Sequence, residues 1–136
     1  MRKLLITLLF LIAVASLAFI YGQSFGGGET LSAAKVKQKW GGSEKYTPEL
    51  FKSGSYLEKS KMAYSIMTDR SLVNEPYERI RQLFGENDGF YFIDTYPTYI
   101  IQRGKNHSEE TWQLVFRMNN QFKVRDIIMH KNCCEK

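Results

Sequence analysis

The sequence predicts an α+β protein: an N-terminal membrane helix or signal peptide, then two helices packed on a three-stranded antiparallel sheet. Three observations predict it. Residues 4–21 are eighteen uncharged, largely apolar residues. From Thr47 to Gly85, apolar residues recur at helical spacing between helix-start and helix-stop signals. After Asp88-Gly89 the chain becomes aromatic-rich and then alternates, as half-buried strands do.

The apolar run follows Arg2 and Lys3, which favour a cytoplasmic N-terminus. As a helix it reaches roughly 27 Å, close to the hydrocarbon thickness of a bilayer. Ala13-Val14-Ala15 and Ser16-Leu17-Ala18 each fit a small-x-small cleavage site. An uncleaved anchor and a cleaved signal peptide both remain open, and either one exports the rest of the chain. No cysteine follows the run, so N-terminal lipid attachment has no acceptor.

Residues 22–46 read as a flexible basic linker. They hold Gly26-Gly27-Gly28 and Gly41-Gly42, with Lys35, Lys37, Lys39 and Lys45 among them. Residues 35–40 could form a short helix, with Trp40 the first residue to dock. The triple glycine lacks the Gly-Lys-Ser/Thr ending of a phosphate loop.

The domain itself is expected over residues 47–131. Thr47 and Pro48 open a short helix to residue 53, broken at Gly54. Ser55 caps a longer helix, residues 56–71. Asn74 is placed to cap a helix over 75–84, in which Tyr77, Ile80, Leu83 and Phe84 share a face. Gly85 supplies its left-handed end.

Strands are expected over 90–95 and 99–103, separated by Pro97. A polar loop covers 104–110. Residues 111–118 then alternate, with Trp112, Leu114, Phe116 and Met118 on one face and Gln113, Val115 and Arg117 on the other. A turn at Asn119-Asn120-Gln121 leads to the last strand, 122–130. The hydrophobic match pairs Met118 with Phe122, Phe116 with Val124 and Trp112 with Ile128. That register opposes Leu114 to Asp126, so it demands a bulge at Asp126 or a shift near Ile127. Residues 132–136 form a tail.

Composition narrows the function. At 136 residues, 43% hydrophobic and 14% aromatic, the chain is neither disordered nor long enough for two domains. Its two cysteines cannot staple a disulfide scaffold. The net charge of +5 is modest, and no basic-aromatic module for nucleic acid is present.

Cys133 and Cys134 are adjacent, outside ordinary disulfide geometry. With His130 they outline a His-Cys-Cys metal cluster that lacks a fourth ligand. Glu109 and Glu110, even with Asp94, lack the spacing of a hard-ion loop. No metal or cofactor is therefore expected. His107 beside Ser108 is adjacency rather than triad geometry, so no catalytic residue is expected either. Asp69-Arg70 and Glu78-Arg79 read as helix-surface charges. The more informative cluster is Phe90, Tyr91, Phe92, Tyr96 and Tyr99 around Pro97. Strand alternation buries half of it. The exposed half is a candidate protein-binding surface.

Several motifs carry a family resemblance. Lys59-x-x-Met62-x-x-Ser65-Ile66 resembles the first-helix pattern of the SmpA/OmlA-like domain of small exported bacterial proteins. Ile80-x-x-Leu83-Phe84-Gly85-x-x-Asp88 is similar to its second-helix ending. Trp112-Gln113-Leu114-Val115-Phe116 with Lys123-Val124 resembles its closing hairpin. The resemblance covers residues 56–129. It implies an αα-βββ unit, shared with β-lactamase-inhibitor-like proteins, whose work is protein binding. Its best-known member is a small accessory lipoprotein of the outer-membrane barrel assembly machine. This chain lacks that member's lipidated cysteine and the proline expected before Asp88. The resemblance therefore bears on fold more than on barrel assembly.

The expectation is a membrane-tethered or exported, non-enzymatic protein-binding module of the bacterial envelope, folded from about residue 45. Its partner would be an envelope protein, with the membrane engaged through residues 4–21 if they are uncleaved. Two alternatives stand beside it: a secreted inhibitor or immunity-like protein, and a small-ligand binder or enzyme using the aromatic cluster and His107.

Overall fold

The computed structural model describes residues 28–42, 44–105 and 109–132. The apolar run 4–21, His107, Ser108, Cys133 and Cys134 lie outside them. Among the described residues no helix is long and apolar enough to cross a membrane. The α+β class holds. Four helices cover one face of a four-stranded antiparallel sheet among the described residues.

The first elements arise where a linker was expected. Strand β1 (Thr30–Leu31) pairs with the last strand, and helix α1 (Ala33–Trp40) follows at once. Ser32 caps α1 by accepting from Lys35 N, and Gly41 ends it at φ 81°. Val36 is fully buried. Trp40 meets Trp112 edge-on at 5.8 Å, and its indole N–H donates to Gln102 Oε1 at 3.0 Å. Two apolar anchors four residues apart are enough to fold a lysine-rich segment onto the core.

Helices α2 (Pro48–Ser53) and α3 (Tyr56–Thr68) begin where their caps predict. Thr47 accepts from Leu50 N, and Ser55 and Glu58 form a reciprocal capping box. Helix α3 stops short of residue 71. The Asp69 carboxylate binds Ser71 N and Oγ and opens a 3-10 turn, Arg70–Leu72, instead. Tyr46 donates to its other oxygen at 2.6 Å.

Helix α4 (Tyr77–Phe84) starts two residues later than expected, and Asn74 does not cap it. The reason is a tertiary pairing. Asn74 N donates to Val124 O, Val124 N to Glu75 O, and Tyr77 N to Phe122 O. Asn74 therefore turns the chain at φ 70°, and Glu75 and Pro76 run alongside the final hairpin, with Pro76 bridged to Lys123. Gly85 ends α4 at φ 91°.

Strands β2 (Thr98–Gln102), β3 (Thr111–Met118) and β4 (Val124–Asn132) form a meander, giving the sheet order β1-β4-β3-β2. The expected faces hold. Trp112, Leu114, Phe116 and Met118 enter the core with Tyr99, Ile101, Val124 and Met129. The expected register does not. Met118 pairs with Val124, and Leu114 with Met129. The turn is Asn120–Phe122, one residue later than expected. Past a bulge at Arg125, Asp126 faces Arg117 on the opposite face, where their side chains pair through two 2.6 Å bonds. The bulge removes the Leu114–Asp126 conflict by shifting every later residue of β4.

The core centres on Phe51, Phe84, Tyr99 and Phe116, with neighbouring centroids 5.1–5.9 Å apart. Each buried large apolar side chain contributes about 1.5–3 kcal/mol. Tyr99 is 1% exposed, and its hydroxyl donates to Gly85 O at 2.9 Å, tying β2 to the end of α4. Burial pushes its phenol above the ordinary range.

Candidate functional site

Residues 90–95 are not a strand; they form a loop across the sheet face that the helices leave open. Two local causes produce it. A Cβ on Gly89 would stand 2.7 Å from Gln113 Oε1, so only glycine lets the chain come this close to the sheet. The buried Gln113 amide then behaves as a strand neighbour. It accepts from Phe90 N at 3.2 Å and donates to Phe90 O at 2.6 Å. The loop thus lies over the sheet, not beside it. Before it, Asp88 accepts from Ile100 N at 2.7 Å and blocks part of the β2 edge.

The five aromatic residues separate into three groups. Tyr99 is core, so it cannot form part of an exposed binding surface. Tyr91 and Tyr96 are half-buried and stacked at 6.2 Å. Phe90 and Phe92 point to solvent, 56% and 61% exposed, and Ile93 joins them at 47%. Phe92 sits at φ 51°, a left-handed conformation that disfavours any side chain with a Cβ.

Beneath the loop lies His130, 4% exposed. Tyr91 packs edge-on to its ring at 4.7 Å and Phe92 at 6.0 Å. Its Nδ1 is 3.4 Å from Gln113 Nε2. That amide nitrogen donates to Phe90 O, so Nδ1 can only accept from it and Nε2 carries the proton. Nε2 is buried with no partner among the described residues. Burial pushes the imidazole below its ordinary range.

At the far end of the loop a groove of about 480 Å³ opens, with Pro76, Tyr77, Glu78, Asp94, Thr95 and Phe122 in its lining. Its lining holds two carboxylates and no cation. Phe122 is 57% exposed at φ 56°. It occupies the last position of a three-residue hairpin loop, where glycine is the ordinary residue. The sequence pattern does not single it out. The available signal was a phenylalanine next to Asn-Asn-Gln, an apolar residue within turn chemistry.

Glu109, Glu110 and Asp69 have structural partners. Glu110 accepts from Trp112 Nε1 at 2.9 Å and pairs with Lys131 at 2.7 Å; Glu109 accepts from Lys105 N at 2.6 Å. Neither shares a site with Asp94, which lines the groove. Asp69 serves the turn described above. Among the described residues no three His, Cys, Asp or Glu side chains form a metal-sized group.

Fold and surface together define a small two-layer α+β domain with one aromatic loop laid over its open face. No protein-family model, curated protein or solved structure matches the chain.

Proposed function

We propose that the protein is a membrane-tethered, non-enzymatic binding module of the bacterial envelope, holding its domain outside the cytoplasm. The end-of-sheet groove takes a segment of an envelope protein. The observation that carries this reading is Phe122: a strained backbone keeps a large apolar ring in solvent at the rim of a groove. Non-glycine left-handed residues cost about 1–2 kcal/mol and persist where other interactions hold them. Burying that ring against a partner gives the strain a use. Glu78 and Asp94 favour a segment that brings a cation beside its apolar side chain. The resemblance to SmpA/OmlA-like domains points the same way, since protein binding is the work it implies. The tether reading rests on residues 4–21.

The test is retention of an envelope protein by the detergent-solubilised full chain, compared with Asp94→Lys and Phe122→Gly. Expected is a partner kept by the parent and lost by both variants. Equal retention by all three overturns the groove as the binding surface.

A further inference from the structure

The chain enters the fold beside the exposed aromatic loop. A Cβ on Gly28 would stand 2.9 Å from His130 Nε2, and the His130 ring is 6.0 Å from that of Phe92. Thr30 is paired with His130 itself. The first described residue and the solvent-facing ring of Phe92 therefore flank one buried histidine on the open face of the sheet.

Because β1 and α1 belong to the domain, little chain separates the apolar run from the fold. From Tyr21 to Gly28 there are seven Cα steps, a reach of about 25 Å at full extension. Tyr21 closes the apolar run, and tyrosine favours the membrane–water interface. A tether this short holds the open face near the bilayer. On that face Phe90, Phe92 and Ile93 are exposed large apolar side chains of one loop. The exposed Leu57 belongs to the helix layer on the other side of the sheet.

We infer that Phe90, Phe92 and Ile93 are a membrane-seating surface: they enter the interfacial region of the phospholipid bilayer that anchors residues 4–21. The proposal rests on the tether reading above and adds to it. A loop tip with two phenylalanines and an isoleucine buries apolar area in the acyl boundary as the apolar face of an interfacial helix does. The tether makes that contact intramolecular, so a small patch is enough. The seat also fixes orientation. The groove at Phe122 lies at the other end of the loop and stays open to a partner.

The experiment uses the full chain in vesicles of phosphatidylethanolamine and phosphatidylglycerol. A photoreactive diazirine amino acid replaces Phe92 in one preparation and Leu57 in another; both sites are exposed, so the fold is kept. After irradiation, intact mass reports adducts, and an alkaline carbonate wash reports whether the chain stays in the bilayer. Expected is a phospholipid adduct at position 92 in several-fold excess over position 57. Equal adduct at the two positions, in a chain that resists the wash, overturns the seat and leaves the tether standing. A cross-link from position 92 to protein instead of lipid also overturns it. A chain that washes off, or lacks its first residues by mass, removes the tether and the seat with it.

Discussion

Phe122 carries a strained backbone and His130 a buried ring, and each makes a prediction. Glycine at position 122 takes φ 56° without steric cost and keeps both backbone bonds, from Phe122 N to Asn119 O and from Tyr77 N to Phe122 O. Phe122→Gly is therefore expected to raise stability by about 0.5–1 kcal/mol, read from the urea midpoint, while partner retention falls. A lower midpoint would show that the ring packs for stability. His130 gives a pH dependence whose sign is fixed. Its folded pKa lies below its unfolded value, so the unfolded chain binds the proton more readily. Stability is full above about pH 6.5, the unfolded value, and is lost as pH falls from there toward the folded pKa. His130→Phe removes both the titration and an N–H that has no partner among the described residues. The variant should be as stable as the parent at pH 8 and show no loss between pH 7 and pH 5. An unchanged pH profile in the variant would place the titration elsewhere.

At the scale of elements, the edge of β2 shows how one side chain governs a strand. Asp88 satisfies Ile100 N, and residues 88 and 89 both donate to Thr98 O. Asp88→Ala frees a ladder N–H at a sheet edge. The expected loss is about 1–2 kcal/mol in the urea midpoint, with increased light scattering on storage as the bared edge finds other chains. The elements legible in the sequence are those specified by neighbours in the chain. Thr47 with Pro48, Ser55 with Glu58, and Gly85 each act within a few residues, so α2, α3 and the end of α4 follow from local chemistry. What was not legible depends on distant partners. Asn74 abandons a good capping position because Val124 offers its N–H a carbonyl. Residues 90–95 have strand composition, yet the Gln113 amide holds their backbone over the sheet. The hairpin has a three-residue turn as expected, but its frame moved because an Arg117–Asp126 pair and a buried Leu114–Met129 pair are both met only past a bulge.

The whole molecule is larger at its N-terminal side than composition implies. Val36 and Trp40 are sparse among lysines, so residues 33–40 look solvated until Trp112 and Gln102 are brought to them. Of the candidate site, the aromatic loop was visible as a cluster, but which rings face water was not. That depends on a loop where alternation assumed a strand. A chain beginning at residue 45, the boundary composition favours, lacks β1 and α1. It uncovers the β4 edge and Trp112. Expected is a broad, weakly cooperative urea transition, against a single sharp one for a chain beginning at residue 28. Matching transitions would make the N-terminal elements dispensable.

The strand by which the chain enters the domain is only two residues long, Thr30–Leu31, supported by Lys131 N donating to Glu29 O and by the Lys131–Glu29 ion pair at 3.1 Å. In the proposed tethered state, a pull between membrane and partner passes through this short seam before it reaches the core. Peeling it lifts Gly28 away from His130 and lets water reach a buried imidazole, while the helices and the meander stay whole. Single-molecule extension from the N-terminus should show a small early yield ahead of the main unfolding event, and Glu29→Ala should lower the force at which it occurs. In mechanical terms the domain carries a weak link at its point of attachment, and tension would change its chemistry before it breaks its fold.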